Sequence, residues 1–377
     1  MALTRGSGPP LGGVAAGRGK HPPRRGPMKK HRGAAAAARR EKRRKDGPAA
    51  AGVVRKRRQV ADEDMFSSYA RLEIHEAMLK DVPRTDAYRR AILAGKEAHF
   101  AGKVVLDVGC GVGILSLFAA RLGGAKRVYA VEACAETAAR ARRVVAANGL
   151  SRTVKVICGT IEEVKLPSKV DTIISEWMGY FMVHESMLDS VFVARDRWLK
   201  EGGAMYPSRA QLFAVPGDFR EQVEKKTGYW STDVYGFDLS VLRSEAEAKL
   251  RAASPLSDYC QPGQLLQRKA HVVADWDLTT RPRKDVRSVE ASFVSVAKKA
   301  GVFNGFAIWF DVSFPTEPAI VLSTGPGDPP THWGQTIALV DHHLDVKRGQ
   351  AIDWTLRIAE CSANHRFYDL RFEYGLA

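Results

Sequence analysis

Residues 104–116 read VVLDVGCGVGILS, in which an apolar run leads into a glycine-rich loop and the start of a helix. Gly109 and Gly111 allow the backbone to turn tightly and approach a ligand, and the helix N-terminus adds unpaired N–H groups. The spacing is G-x-G-x-G with Asp107 ahead of it, whereas dinucleotide-binding loops carry G-x-G-x-x-G. The loop therefore favours a nucleoside without phosphates and argues against a dehydrogenase. A tight strand–helix turn without a ligand is the weaker alternative.

Short apolar strands alternate with helices on the C-terminal side of this loop. We predict strands at 127–133, 154–159 and 170–176, and helices at 113–123, 136–148 and 185–200, the last ended by Gly202-Gly203. Such alternation indicates an α/β fold, a parallel sheet with helices on both faces. Glu132 ends the second strand, where a carboxylate suits the two hydroxyls of a ribose. Upstream, helices are predicted at 65–81 and 85–94, with Thr85 as the N-cap of the second.

The pattern changes after Pro207. Aromatic and β-branched runs such as QLFAVP, HVVADWDL and GFAIWFDVSF are separated by turn residues, as in the antiparallel strands of a sandwich or barrel. Residues 219–242 form a helical or irregular insertion. Asp341-His342-His343 is interpreted as a polar surface turn, because adjacent histidines on a strand point to opposite faces and make a poor metal site. We therefore predict domains at 61–206 and 207–377, preceded by a tail at 1–60.

The basic charge of the chain is concentrated in that tail. Residues 1–60 contain 18 lysines and arginines against two acids, while the remaining residues hold 40 basic and 40 acidic side chains. The composition predicts disorder. The basic clusters indicate nuclear import or a nucleic-acid tether, with a merely solvated tail as an equal alternative. The folded part is not predicted to bind nucleic acid.

Apolar segments and the spacing of the cysteines indicate which cellular compartment to expect for the protein. No apolar run is long enough for a membrane helix, and the N-terminus lacks the apolar core of a secretory signal. Five cysteines are widely spaced without a C-x-x-C pair, which fits neither a disulfide framework nor a zinc ribbon. We expect a reduced compartment, the nucleus or the cytoplasm or both, and no membrane partner.

Two glutamates follow the strand predicted at 170–176. Glu176 lies in the sequence SEWMGY at the end of that strand, and Glu185 comes nine residues later where a helix starts. Ligands of open α/β sheets bind at the carboxyl ends of the strands, so both carboxylates can reach one cleft. A guanidinium presents a planar fork of five N–H donors and matches two carboxylates. For Glu185, capping of the helix N-terminus is an equal alternative.

VVLDVGCGVGILS, VYAVEA, SEWMGY with HESML, and Thr331-His332-Trp333 together resemble the type I protein arginine N-methyltransferases. The resemblance runs from about Phe66 to near the C-terminus. It implies a Rossmann-like domain that binds S-adenosyl-L-methionine, followed by an antiparallel β-barrel-like domain with a helical dimerisation arm at about 219–242. The reaction implied is transfer of methyl groups to arginine, giving monomethyl and asymmetric dimethyl arginine.

Residue roles carry over from the resemblance. The positions that match cofactor-binding residues are His75, Arg84, Asp107, Gly109, Gly111, Glu132 and Glu162. Glu176 and Glu185 match the pair that holds the substrate arginine. His332 matches a histidine that pairs with an acid at Asp81. This pair is predicted to be catalytic as a proton relay, with a structural salt bridge as an equal alternative. Tyr69, Met78 and Trp333 match the substrate pocket, and Met78 matches a methionine associated with asymmetric dimethylation.

One departure from the family pattern lies just before these residues. The motif Y-F-x-S-Y reads Met65-Phe-Ser-Ser-Tyr69, so the first tyrosine is missing. Substrates expected from the resemblance are histones or Gly/Arg-rich proteins, and a homodimer is expected. The alternatives are a methyltransferase of another substrate class and a catalytically weak paralogue that acts as an adaptor.

Overall fold

The computed structural model describes residues 69–361 and 364–376, with the side chains of residues 364 and 365 excluded. The predictions made for the tail at 1–60, for Met65 and for a helix beginning at residue 65 lie outside these residues. None of the described helices is both long and apolar enough to span a bilayer.

The first sheet consists of five parallel strands in the order β3-β2-β1-β4-β5. Their bounds are β1 Val104–Val108, β2 Arg127–Glu132, β3 Val154–Cys158, β4 Val170–Ile174 and β5 Leu199–Tyr206. The predicted parallel sheet is confirmed, but the prediction that Gly202-Gly203 merely ends a helix is wrong, since both lie within β5. A Cβ on Gly203 would lie 2.9 Å from the carbonyl oxygen of Asp171 beside it, so glycine allows β5 to approach β4.

Helices cover both faces of this sheet. They are α1 Leu72–Lys80, α2 Val82–Ala94, α3 Ile114–Leu117 (continuing as a π-helical turn to Leu122), α4 Ala135–Ala147 and α5 Met187–Trp198. A separate π-helical turn spans Lys96–Phe100. Thr85 is not the N-cap of α2: the Asp81 carboxylate accepts from the Arg84 backbone N–H at 3.0 Å, and Pro83 lies in the first turn, where no N–H is needed.

Antiparallel strands form the second half, as predicted. One sheet has the order β10-β6-β12-β14-β9 with β13 beside β12, and another has the order β11-β15-β16. The bounds are β6 Arg209–Gly217, β9 Leu256–Asp258, β10 His271–Asp277, β11 Ser288–Val296, β12 Gly301–Ser313, β13 Val321–Ser323, β14 Gln335–Val346, β15 Ala351–Cys361 and β16 Asn364–Leu376. Asp341-His342-His343 is exposed but lies within β14, so the predicted turn is wrong. Among the described residues, no cluster of His, Cys, Asp and Glu could hold a metal ion.

The insertion between β6 and β9 is longer than its predicted extent. It contains α6 Arg220–Thr227, the 3₁₀ turns Gly228–Ser231 and Ser240–Leu242, the hairpin β7 Asp233–Val234 with β8 Phe237–Asp238, and α7 Arg243–Ala252. Its hairpin and turns expose large apolar side chains: Tyr229, Tyr235 and Phe237 are 61%, 95% and 70% exposed. We refer to residues 219–252 as the arm.

One hydrophobic core contains buried side chains from both the parallel and the antiparallel sheets. A second, smaller cluster joins buried residues of β6, β12 and β14 to Phe219 and Val223 of the arm. At the junction, Tyr88 of α2 meets Phe314 edge to face, with ring centroids 4.8 Å apart. The segment that precedes β14 is held against the carboxyl end of β4, because the Trp333 indole N–H donates to the Met178 carbonyl at 3.0 Å. This contact closes one side of the cleft above the parallel sheet.

Candidate active site

A cavity of about 420 Å³ opens at the carboxyl ends of β1, β2 and β4. This position is the usual binding crevice of open α/β sheets, and the volume suits a ligand of cofactor size. Twelve of the fourteen predicted site residues line it: Tyr69, His75, Met78, Arg84, Gly109, Gly111, Glu132, Glu162, Glu176, Glu185, His332 and Trp333. Asp81 and Asp107 do not.

The glycine-rich loop forms one wall of the cavity. Gly109 and Gly111 have φ angles of 72° and 55°, and a Cβ on Gly109 would lie 2.1 Å from the Met187 side chain. The Glu132 carboxylate accepts from the Gly111 backbone N–H at 2.9 Å through one oxygen and from the Cys134 N–H at 2.9 Å through the other. Glu132 is therefore oriented by the backbone on both sides and remains part of the cavity wall.

His75 and Glu162 line the same cavity from separate elements. The His75 Nε2 lies 2.8 Å from the Tyr69 carbonyl oxygen, which links α1 to Tyr69, three residues before the helix begins. Glu162 accepts from the Ser190 hydroxyl at 2.7 Å, and Ser190 also lines the cavity. Ser190 was not among the predicted site residues, because a serine on a helix carries no distinctive sequence signal.

Asp107 supports the loop from behind. It is fully buried and accepts from the Ser116 hydroxyl at 2.6 Å, while its Oδ1 accepts no hydrogen bond from the described residues. Burial raises the pKa of Asp107 to about 7, and the Glu132 charge adds to the rise. The sequence predicts a cofactor-binding role for Asp107, but the structure places it under the loop rather than in the cavity.

Arg84 forms an ion pair with Glu176 inside the cavity. Its Nε and Nη2 donate to Glu176 Oε2 at 2.9 and 2.6 Å, and both side chains are 8% exposed. A third donor, Nη1, reaches the Met78 carbonyl at 3.2 Å. Burial acts to lower the pKa of Arg84, but the Glu176 carboxylate raises it, so the guanidinium stays charged. The resemblance assigns Arg84 to the cofactor carboxylate. In the structure it also neutralises one member of the glutamate pair.

Residues 175–186 connect β4 to α5 and carry both glutamates of the pair, and we call them the glutamate loop. Glu185 occupies a strained position near the end of this loop. Its φ is 75°, and Phe181, Met182 and Ser186 also have positive φ angles, which non-glycine residues adopt only at a cost. The Tyr69 hydroxyl donates to Glu185 Oε2 at 2.7 Å, and Arg366 donates to the Glu185 carbonyl at 3.4 Å. The Glu185 carboxylate therefore projects into the cavity from a strained backbone that the surrounding contacts hold in place.

The pKa of Glu185 is raised. Burial is the largest cause and the Glu176 charge adds to it, while the Tyr69 hydrogen bond, Arg366 and His332 act in the opposite direction. Glu185 therefore carries its charge only above a pH that is higher than usual for a glutamate. Arg366, which lines the cavity, was missed by sequence reasoning, because an arginine on a strand matches no motif.

Asp81 and His332 form a second pair at the edge of the cavity. Asp81 Oδ2 lies 2.6 Å from His332 Nδ1 and accepts from the His332 backbone N–H at 2.8 Å. Burial acts to raise the pKa of Asp81, but its hydrogen bonds with His332 outweigh this and lower it. His332 is partly exposed, whereas the Asp81 side chain lies behind it. Asp81 can therefore orient and charge-stabilise His332, but it cannot touch a ligand directly.

The cavity thus combines two ligand environments. The glycine-rich loop and Glu132 suit a nucleoside, and Glu176 with Glu185 suits a cation. Arg84 already shows that a guanidinium fits against Glu176.

Two family descriptions match the chain. Residues 105–203 match a methyltransferase domain, and residues 208–377 match the arginine methyltransferase oligomerization subdomain. Among curated proteins, the probable protein arginine N-methyltransferase 6.1 of Oryza sativa subsp. indica is 40% identical over 83% of this chain and 88% of its own length. Protein arginine N-methyltransferase 6 of Xenopus laevis is 37% identical over 85% of this chain and 93% of its own length.

Solved structures of arginine methyltransferases also match the chain. A structure described as the Trypanosoma brucei PRMT1 enzyme-prozyme heterotetrameric complex with AdoHcy matches with a TM-score of 0.73 and 32% identity, covering 82% of this chain and 95% of that chain. Arabidopsis thaliana protein arginine methyltransferase 10 matches with a TM-score of 0.71 and 34% identity over the same shares.

Proposed function

Because the chain belongs to the protein arginine N-methyltransferase family, we propose that it is a type I member, which converts arginine in proteins to monomethyl and then asymmetric dimethyl arginine. The single observation that carries this proposal is that Glu176 and Glu185 line the same cavity as the glycine-rich loop and Glu132. One pocket can therefore bring a cationic acceptor and a nucleoside cofactor together.

The residues present fit S-adenosyl-L-methionine. Bound there, the cofactor supplies a methyl group on a positively charged sulfur. Glu132 would take the ribose hydroxyls, since its backbone hydrogen bonds hold its carboxylate in place. Glu162 would lie beside the adenine. His75 and Arg84 would face the amino-acid end, where Arg84 would share its donors between a carboxylate and Glu176.

The glutamate pair solves the chemical problem of the acceptor. A free guanidinium keeps its proton at any workable pH and is a poor nucleophile. Carboxylates on two of its nitrogens would draw positive charge toward themselves and leave the third nitrogen richer in electrons. They would also hold that nitrogen in line for methyl transfer, and such positioning supplies a large part of catalysis.

A proton must leave the acceptor when its nitrogen gains a methyl group. Two groups in the cavity can receive it, the Glu185 carboxylate and the His332 imidazole. Asp81 would stabilise the imidazolium of His332 from behind, as a buried carboxylate does for a catalytic histidine.

Met78 supports the asymmetric product. It packs beside Arg84, with its sulfur 3.9 Å from Arg84 Nη2, so it forms the wall next to the Glu176 end of the pair. A flexible, unbranched side chain leaves room there for a second methyl group on the same nitrogen.

The substrates we propose are histones or other arginine-rich proteins, whose cationic segments suit the glutamate pair. We also propose a homodimer that forms through the arm, because Tyr229, Tyr235 and Phe237 are exposed there. Residence in the nucleus, the cytoplasm or both remains part of this proposal, and any nucleic-acid binding is assigned to the tail.

The test is methyl transfer from labelled cofactor to mixed histones and to a Gly/Arg-rich peptide, followed by amino-acid analysis of the product. Monomethyl and asymmetric dimethyl arginine are expected, and symmetric dimethyl arginine would contradict type I activity. Label on a residue other than arginine would favour another substrate class. Cofactor binding in calorimetry without transfer to any acceptor would favour the adaptor alternative.

A further inference from the structure

A second, smaller cavity of about 140 Å³ lies beside the active site. Its walls are rings from the glutamate loop and from β16: Tyr180, Phe181, His184, Phe367 and Tyr368. His184 is at the centre of these rings, with centroids 5.0 Å from Phe367 and 5.5 Å from Phe181. We call this cavity the flanking pocket.

The flanking pocket differs in character from the active-site cavity. Pro255, Leu256 and Leu370 complete its apolar lining. Among the described residues that line it, the ionisable side chains are His184 and two tyrosines, Tyr180 and Tyr368. The active-site cavity, by contrast, holds four glutamates and two arginines. The described residues that line the flanking pocket include no carboxylate, so a cation would lose hydration there without gaining an acidic partner, and an uncharged apolar side chain suits it.

The two cavities are adjacent, because they share one lining residue and are lined by sequence neighbours. Tyr180 lines both. Glu185 and Arg366 line the active site, while their sequence neighbours His184 and Phe367 line the flanking pocket.

Ser257 adds a second link between the cavities. Its hydroxyl donates to the carbonyl oxygen of Trp333, at 2.8 Å, and Trp333 lines the active site. Adjacent residues of a chain have Cα atoms 3.8 Å apart, and an extended peptide advances about 3.3 Å per residue. Because sequence neighbours line the two cavities, their walls lie about one residue apart along the chain, and a residue that flanks the acceptor arginine is within reach of the flanking pocket.

We propose that the flanking pocket is a substrate subsite, which binds an apolar side chain within two residues of the acceptor arginine. This inference rests on the proposed arginine methyltransferase activity and adds a specificity to it. Burial of one apolar side chain in such a pocket discriminates substrates by about 10-fold or more.

The experiment uses the full chain and peptides with one arginine in a glycine–serine background. A single leucine is placed at each of the two positions before and after the arginine, and kcat/KM is compared with that of the leucine-free peptide. One position is expected to raise kcat/KM by about 10-fold, and the others by far less.

Variants at Ser257 assign the effect to the flanking pocket. Ser257 is exposed at the rim, so a larger side chain is tolerated there. Ser257→Phe fills the pocket and should abolish the leucine preference. Ser257→Ala removes the hydroxyl without filling the pocket and should keep the preference.

The outcomes separate the inference from its premise. Methyl transfer to the leucine-free peptide at the same rate as to all leucine peptides would overturn the subsite and leave the activity intact. A leucine preference that survives in Ser257→Phe would also overturn it. No transfer to any peptide would remove both the activity and the subsite.

Discussion

Replacing Tyr69 by phenylalanine tests whether Glu185 must be ionised for the acceptor to bind. The Tyr69 hydroxyl donates to Glu185 Oε2 at 2.7 Å and is a cause that lowers the pKa of this carboxylate against the effects of burial and of Glu176. A hydrogen bond to a charged group is worth about 1.5–3 kcal/mol, and 1.36 kcal/mol corresponds to about one pH unit. Because Tyr69 is only partly buried, the lower bound applies.

The expected effect is therefore a shift of the pH profile. Glu185 has a raised pKa, so activity is present above this pKa and is lost as the pH falls through it. Tyr69→Phe should move the acid limb of log kcat/KM upward by about one pH unit. Well above both midpoints the variant should approach the wild-type rate, while on the acid limb it should be slower by about 10-fold.

The assay measures kcat/KM for an arginine peptide between pH 5 and 9 in buffers of constant ionic strength. Tyr374→Phe is the matched control. Within the described part of the chain its hydroxyl hydrogen-bonds with the His342 backbone, away from the cavity, so its profile should not move. A uniform loss of activity at every pH in Tyr69→Phe would refute the reasoning and assign Tyr69 to substrate packing instead.

Three further predictions concern the stability of the fold, the affinity for the cofactor and methylation of the tail. Asp81→Ala removes the N-cap of α2 and the partner of His332, so thermal unfolding at pH 7 should show that the free energy of unfolding falls by about 2 kcal/mol. Because the pKa of Asp81 is lowered in the fold, this loss of stability should shrink as the pH falls through that lowered pKa. Glu132→Gln places an amide N–H₂ group against a backbone N–H donor, so the cofactor Kd measured by calorimetry should rise by about 10-fold or more. Glu162→Gln, at an exposed residue, should raise this Kd less. Arginines beside glycine in the tail, such as Arg5 and Arg18, should be methylated by the enzyme itself, and mass spectrometry without any 14 Da increments on tail peptides would exclude this.

Most of the parallel half of the fold could be predicted from the sequence, because its strands and helices each show the hydrophobic periodicity of their own type. The exception is β5, where Lys200, Glu201 and two glycines gave no strand signal, since its pairing depends on close contact with β4. The strand that contains Asp341-His342-His343 was missed for a similar reason: its polar end is exposed and its pairing with β12 is non-local.

The candidate site was readable where residue type and spacing carry the chemistry. The glycine loop, Glu132 and the glutamate pair all line the cavity. Arg366 and Ser190 carried no signal, because their places depend on how β16 and α5 pack. Asp107 shows the opposite error: its position in the motif is regular, but the side chain faces the core. The flanking pocket is assembled from the glutamate loop, β9, β14 and β16, which no local pattern brings together.

The most direct test of the central claim compares wild type with Glu185→Gln in transfer of labelled methyl groups to an arginine peptide. Cofactor affinity is measured in parallel. We expect asymmetric dimethyl arginine from wild type and a loss of about 100-fold or more in the variant, because one preorganised charge at the reacting group is gone. Cofactor Kd should be unchanged. Near wild-type transfer by Glu185→Gln would contradict the account, as would a wild-type product that is not methylated arginine.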